Sequence, residues 1–338
     1  MSNANPLPFA TVAVPTRNEA ATIEGCLRSL VAQDYPHDRF EVLVLDGGST
    51  DGTPELVERF AAGSPLEIRL VANPRGHVPA ALNIALAEAR GEYLVRVDGH
   101  SHPEPRYLSR SIAGNLEHGA DLAGGWVRAV GEGAVGRAVA AAFASPFSMG
   151  NPGSWNAPDA PREVASVPCG SYRLEALKAI GGFDEGQLAN QDYEANYRLR
   201  AAGGKVVLLP DVHFDYVPRD RLSRLARQFA RYGYYKARTM AKHPASIRPR
   251  HLVPAAALVG LGALVVTAAV WAPARPLLLA AALAYLVALV AAAVHAGRGL
   301  GRAALALPAV FATMHLAWGA GNVLGLARFF PRRSELRG

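Results

Sequence analysis

Apolar and polar positions change period several times along this chain. Up to about residue 100, short β-branched and aliphatic runs alternate with segments whose apolar positions recur every third or fourth residue. Residues 9–14, 41–45, 68–71 and 92–97 read as buried strands. Residues 20–33, 54–62 and 78–89 read as helices, the first through Ile23, Leu27, Leu30 and Val31. Punctuation agrees, because Pro15 closes the first strand, Pro54 sits in the first turn of the second helix and Gly91 ends the third. Strand and helix alternating through short connections predict a parallel sheet covered by helices. The pattern then weakens. Residues 131–161 are rich in Gly and Pro, 138–143 predict one helix, and 143–155 predict either a flap over a ligand or a surface loop. A further helix opens at Asn190, with Ala195, Leu199 and Ala202 on its apolar face.

From residue 221 the alternation takes a different form. Leu222, Leu225, Phe229 and Tyr232 share one stripe of a predicted helix over 221–243, and Arg221, Arg224, Arg227, Arg231 and Arg238 crowd the rest. Residues 252–274, 276–297 and 303–327 contain no charged side chain. Each run is long enough to cross a hydrocarbon core of about 30 Å at about 1.5 Å per residue. Three domains are expected: 1–220 soluble, 221–250 a basic interfacial helix and linker, and 251–338 a membrane domain with spans at about 252–272, 276–296 and 303–327.

Charge sharpens this division. The net charge of +7 on 338 residues conceals 19 Lys+Arg against 27 Asp+Glu in residues 1–220, net −8, and 16 against 1 in residues 221–338, net +15. A basic helix beside membrane spans accounts for the positive charge without nucleic acid. The membrane segments hold no acid, which argues against an ion-coupled transporter. No basic-fronted apolar run opens the chain, so a cleaved signal peptide is not expected. Arg238, Lys242, Arg248 and Arg250 before the first span, with Arg298 and Arg302 after the second, place residues 1–250 in the cytoplasm. Arg328, Arg332, Arg333 and Arg337 also look like an inside tail, which three spans would put outside. Either the third segment, interrupted by Pro308, Gly319, Gly321 and Gly325, is re-entrant or interfacial, or the rule fails here. Cys26 and Cys169 are expected as reduced structural thiols.

Candidate chemistry gathers where the first strands end. Glu19 follows strand one, Asp46 ends strand two, Arg75 follows strand three, and Asp98 with His100 follows strand four. In an open α/β sheet these carboxyl ends border a crevice. Asp98 and His100, two residues apart on extended backbone, can face one divalent cation. Such an edge suits a nucleotide diphosphate: carboxylates accept from base or ribose, and Arg75 pairs with phosphate. No Gly-x-Gly-x-x-Gly follows strand one and no Walker A lysine occurs, so hydride transfer and P-loop hydrolysis are poor candidates.

Five segments together resemble family 2 inverting glycosyltransferases of GT-A fold: Val14-Pro15-Thr16-Arg17-Asn18-Glu19, Asp46-Gly47-Gly48-Ser49-Thr50-Asp51-Gly52-Thr53, Asn73-Pro74-Arg75-Gly76, Arg96-Val97-Asp98-Gly99-His100 and Gly181-Gly182-Phe183-Asp184-Glu185. The likeness covers about residues 8–240 and is closest to membrane-attached glucosyltransferases of succinoglycan-type exopolysaccharide assembly. The fold it implies is α/β: a Rossmann-like, mainly parallel GT-A domain, then an interfacial helix and C-terminal transmembrane helices. The resemblance places Pro15, Glu19, Asp46, Arg75 and Asp98 with the donor nucleotide, Asp46 near the base. Asp98 and His100 are the implied ligands of a divalent metal, Mn2+ or Mg2+; His100 stands where the family has an acid. Val167–Arg173 resembles the segment beneath the donor sugar, which puts Gly170 and Ser171 in the site. Asp192 matches the general base, with Gln191 replacing the preceding acid and Glu194 as second candidate. Gln228-Phe229-Ala230-Arg231-Tyr232 resembles a Gln-x-x-Arg-Trp element, in which Gln228 and Arg231 close over acceptor and diphosphate; lipid headgroup binding is the other reading of those residues.

The implied activity is transfer of a hexose from a nucleotide diphosphate sugar, UDP-glucose or similar, to a lipid-linked saccharide. It would take place at the cytoplasmic face of the inner or plasma membrane, alongside other polysaccharide-assembly proteins. Two alternatives stay open: a polyprenyl-phosphate sugar synthase, and a non-catalytic membrane subunit that binds a nucleotide sugar.

Overall fold

A computed structural model of the chain describes residues 7–149 and 153–336. In chain order the elements are β1 (Ala10–Thr16), α1 (Ile23–Val31), β2 (Phe40–Asp46), α2 (Thr53–Ala62), β3 (Glu67–Ala72), α3 (Val78–Glu88), β4 (Tyr93–Arg96), α4 (Tyr107–His118) and β5 (Leu122–Ala129). They continue with α5 (Gly133–Phe143), α6 (Pro146–Met149), β6 (Arg162–Glu163), β7 (Ser171–Arg173), α7 (Leu174–Ala179), α8 (Gln191–Ala201) and β8 (Val206–Tyr216). The last are α9 (Leu222–Lys242), α10 (Pro249–Val270), α11 (Arg275–Ala296) and α12 (Leu307–Phe329).

The chain divides into two compact units, residues 1–128 with 156–216, and residues 129–155 with 217–338. The linear division expected at residue 220 is therefore interrupted by residues 129–155, which group with the C-terminal helices. The reason is the apolar face of α5, where Ala138, Val139, Ala142 and Phe143 are buried and Phe143 packs between Trp155 (4.3 Å between ring centroids) and Phe229 (5.8 Å). Phe143 is thus a core residue, not part of a flap. Residues 150–152, at the middle of that expected flap, lie outside the described residues.

Among the described residues the first unit holds one sheet in the order β3-β2-β1-β4-β7-β5-β8-β6. β3, β2, β1 and β4 run parallel, while β7 is antiparallel to both β4 and β5. Strand alternation sends Val12, Val14, Val42 and Val44 to a face covered by α1, α2 and α4. Ala13, Leu43 and Leu45 go to the opposite face, covered by α3, α7 and α8. Burial on both faces is why these strands read as continuous apolar runs. α1 shows how the helices are held: Ile23, Cys26, Leu27 and Leu30, spaced for one helical face, are all buried. The chain leaves β1 toward β2 and β3 on one side, and β4 returns on the other side of β1. The switch point therefore lies at the carboxyl ends of β1 and β4.

The second unit contains α5, α6 and α9 to α12. Three of its segments, Pro249–Val270, Ala272–Ala296 and Gly301–Phe329, are long and apolar enough to cross a membrane. The buried face of α9 differs from the expected stripe, since it comprises Leu225, Phe229, Gly233, Lys236, Ala237 and Met240, while Leu222 is exposed.

Candidate functional site

The rim begins where β1 and β2 end in register, with Thr16 opposite Asp46. Two loops follow and are stitched together. Asn18, in the left-handed region at φ 56°, donates its N–H to Ser49 Oγ (2.8 Å) and accepts the Thr50 N–H at Oδ1 (2.8 Å). The Glu19 N–H donates to Thr53 Oγ1 (2.9 Å) and the Ala20 N–H to Asp51 (3.0 Å). The Asp46 carboxylate accepts from the N–H groups of Gly48 (3.0 Å) and Ser49 (3.1 Å) and from Ser49 Oγ (2.5 Å). With room for about four hydrogen bonds, Asp46 spends three on its own loop and keeps little capacity for a ligand. The loop after β3 joins the same edge, because Gly76 adopts φ 67° and a Cβ on Gly47 would stand 3.2 Å from Gly76 Cα.

On the other side of the switch point, Asp98 follows β4 and its carboxylate is gripped by Arg96, Nε to Oδ1 at 2.8 Å and Nη2 to Oδ2 at 3.2 Å. Burial raises the Asp98 pKa, but the Arg96 charge, the bonds it donates and the nearby His100 outweigh this and hold it below its usual value. His100 turns to Glu19, Nδ1 to Oε1 at 3.1 Å. That contact, against the opposing effect of burial, holds Glu19 low, with Thr22 bonding its other oxygen at 2.9 Å. Gly99 allows the crowding, since a Cβ there would meet Thr16 Cγ2 at 2.8 Å.

Asp192 enters from α8, in the first turn behind Asn190, the residue that caps the helix at φ 56°. Burial pushes Asp192 above the usual aspartate value, and Asp98 adds to the shift. Arg96 and the N–H groups of Tyr193 and Asp192 itself restrain it. Arg96 therefore acts on both Asp98 and Asp192. Cys169 lies in the same electrostatic cluster, but burial pushes its thiol up to about 12, so it is no nucleophile. Cys26 is likewise buried and free, as expected.

Other expected site residues are placed differently. Pro15 is buried within β1. Arg75 is exposed and pairs with Glu185, whose other oxygen takes Asn83 Nδ2 at 3.1 Å. Gly170 is small because a Cβ would stand 2.5 Å from the Ala123 carbonyl oxygen, so strand packing rather than a sugar accounts for it. Ser171, between Val95 and Ala123, is fully buried in the sheet, which removes its hydroxyl from the rim. Glu194 is fully buried and bonded twice by Arg198 (2.9 and 2.6 Å), which also donates to Gly182 O at 2.7 Å. Glu194 is thus a tether for the Gly181–Gly182 turn, which removes it as a second base. Gln228 and Arg231 belong to α9 in the second unit, where Gln228 donates to the Tyr232 hydroxyl at 2.8 Å.

Among the described residues no group of three or more His, Cys, Asp or Glu side chains could hold a metal ion. The donor types nearest one another are the Asp98 carboxylate, whose oxygens each retain a lone pair beyond the Arg96 bonds, and the His100 imidazole, whose Nδ1 meets Glu19. One carboxylate and one imidazole fit a cation that completes its shell with substrate oxygens and water, not a protein-only cage.

Sequence reasoning missed Arg96, which is 12% exposed and touches the carboxylate most central to the site. The available signal was a lone cation inside an apolar strand, two residues before an acid. It also missed Asn83, which fixes Phe183 at both its N–H and its carbonyl (2.8 Å each).

Residues 11–181 match the family described as "Glycosyl transferase family 2". A succinoglycan biosynthesis protein, ExoA of Rhizobium meliloti, is 34% identical over 323 residues, 92% of each chain. A Methanococcus voltae dolichyl N-acetyl-alpha-D-glucosaminyl phosphate 3-beta-D-2,3-diacetamido-2,3-dideoxy-beta-D-glucuronosyltransferase is 26% identical over 69% of this chain and 74% of its own. Among solved structures, a mannosyltransferase from Pyrobaculum calidifontis in complex with GDP-Man and Mn2+ is similar with a TM-score of 0.61 at 26% identity, covering 95% of this chain and 88% of that one.

Proposed function

The chain belongs to glycosyltransferase family 2 and has the GT-A fold, and from that premise we propose an inverting, metal-dependent hexosyltransferase. It moves a sugar from a nucleotide diphosphate donor, UDP-glucose or a close analogue, to a lipid-linked saccharide in cell-surface or exopolysaccharide synthesis. The observation that carries this reading is Asp98 gripped by Arg96 just past β4, with Asp192 in the first turn of α8 within reach of the same charge; Arg96 holds Asp98 low, while burial holds Asp192 high. Opposite shifts on neighbouring acids separate a group that stays charged from one suited to accept a proton.

Asp192 takes the proton of the acceptor hydroxyl. That oxygen bonds to the anomeric carbon as the bond from this carbon to the diphosphate oxygen breaks, with inversion. Arg96 keeps Asp98 ionised and orients it, and Glu19 fixes the ring of His100. A divalent cation, Mn2+ or Mg2+, held by Asp98 and His100 would supply positive charge to the leaving diphosphate. Arg75 reaches the donor only after leaving Glu185.

The basic flanks of the apolar helices support a multi-pass protein of the inner or plasma membrane with its catalytic unit in the cytoplasm. The names of the relatives support a lipid-linked acceptor and a place among polysaccharide-assembly proteins.

Membranes carrying the full chain, incubated with labelled nucleotide sugars and Mn2+ and then extracted for lipid product, test this. One donor is expected to label lipid. Absence of both transfer and donor hydrolysis with every donor would leave the non-catalytic subunit reading. Full activity in Asp192→Asn would favour a polyprenyl-phosphate acceptor, which needs no base.

A further inference from the structure

We propose that α12 does not cross the membrane. It lies beside α9 at the face where the chain enters, so that two helices span, the C-terminal arginines share a side with the catalytic unit, and α9 with α12 meets an anionic headgroup layer. This rests on the reading that α10 and α11 cross a membrane, which the experiment below checks separately.

The first observation is how closely α12 is locked to α9. A Cβ on Gly321 would fall on the Ala230 carbonyl oxygen, and one on Gly325 would stand 2.5 Å from the Tyr234 carbonyl oxygen and 2.7 Å from Ala237 Cβ. A Cβ on Gly233 would stand 2.9 Å from the Asn322 N. The buried Asn322 side chain donates to the Gly233 carbonyl at 3.1 Å, and the Tyr234 and Phe329 rings lie 4.9 Å apart. Backbones this close over residues 230–237 and 318–329 must occupy one depth. α9 carries Arg224, Arg227, Arg231, Lys236, Arg238 and Lys242 within 21 residues, which places it at the headgroups and not in hydrocarbon.

The second observation is where α12 meets the hairpin of α10 and α11. A Cβ on Gly319 would stand 2.7 Å from the Pro254 carbonyl oxygen, in the second turn of α10. At its start, Leu307 lies 3.3 Å from a Cβ built on Gly297, just past the end of α11. His315 Nε2 lies 2.7 Å from the Phe147 carbonyl oxygen, and the Phe147 ring packs on His295 in the last turn of α11. The start of α10 and the end of α11 form the open end of the hairpin, and the start and middle of α12 both touch it. Farther along α11, the Tyr285 hydroxyl lies 3.2 Å from His315 Nδ1. Tyr285 lies ten residues before His295, about 15 Å or half a hydrocarbon core.

The third observation is the far half of the hairpin. Val266, Val270 and Leu279 are 65%, 83% and 70% exposed, so no described residue of the second unit covers them as a third span would. Lipid chains suit that surface. The placement also accounts for Arg328, Arg332 and Arg333, cations that three spans would carry to the opposite side.

The test is thiol labelling of the full chain in sealed vesicles with a membrane-impermeant maleimide, the native Cys26 and Cys169 being buried. Exposed positions on α2, at the hairpin tip and after α12 are used: Glu58→Cys, Ala272→Cys and Ser334→Cys. Ser334→Cys is expected to label from the same side as Glu58→Cys, and Ala272→Cys from the opposite side, with all three labelling in detergent. Labelling of Ser334→Cys from the side of Ala272→Cys overturns the placement of α12 while leaving the spans intact. Labelling of Ala272→Cys from the side of Glu58→Cys overturns the crossing hairpin itself, and this inference with it.

Discussion

Replacing Arg96 by Met removes the guanidinium that pairs with Asp98 and whose charge lowers the Asp192 pKa, and keeps a side chain of similar length. Breaking a buried ion pair from one side costs about 3–5 kcal/mol, because the remaining charge stays desolvated without compensation. Arg96 and Asp98 are 12% and 27% exposed, so residual solvation puts the expected loss at the lower end, about 3 kcal/mol. For a unit of about 150–250 residues each kcal/mol moves the midpoint by about 2–4 °C, which gives a fall of about 6–12 °C. Thermal unfolding of the full chain in detergent, followed by tryptophan fluorescence with Trp126 reporting on the first unit, measures it. The double variant Arg96→Met with Asp98→Asn should regain part of the loss, since the stranded carboxylate is gone. A midpoint within about 2 °C of wild type for Arg96→Met, or a double variant no more stable than the single one, would refute the coupling.

Asp192→Asn should lower transfer by about 10²–10⁴-fold while donor affinity, measured by calorimetry, stays within a few-fold. Because burial raises the Asp192 pKa and only its ionised form accepts a proton, the acidic limb of kcat/KM should fall at a higher pH than an ordinary aspartate gives. Arg96→Met should move that limb further up, whereas a limb at the ordinary carboxylate value would contradict the assignment. Glu185→Gln releases Arg75 and should lower the donor KM if Arg75 pairs with the diphosphate; an unchanged KM removes Arg75 from the donor site. Gly321→Leu forces α9 from α12, at about 1–3 kcal/mol or more, and should expose the α9 arginines to trypsin. Gly260→Leu, which faces open space, should leave the digestion pattern unchanged.

Much of the site was legible because it follows local rules. Asp46 ends β2 and Asp98 follows β4 because apolar runs stop at acids and glycines, and parallel pairing then brings those ends to one edge. Asp192 was legible as the acid of a helix start. The residues that were misread lie where register decides. Ser171 faces inward because of its partners Val95 and Ala123, and Gly170 is small because β5 passes against it. Glu194 reads as available from the sequence, but Arg198, four residues on, bonds both it and the Gly182 carbonyl.

What the amino-acid order determined by itself is the period of each element, the acids at strand ends and the partition of charge. These depend on neighbours within a few residues, on hydrophobic spacing and on simple counting. The tertiary structure alone decided that Arg96, bonded to Asp98, also feels the charge of Asp192, that residues 129–155 join the C-terminal helices, and that α12 seats its glycines on the backbone of α9. Each of these joins segments far apart in the chain, where partner choice depends on sheet order and on how closely two backbones approach, and neither quantity is written in any local pattern.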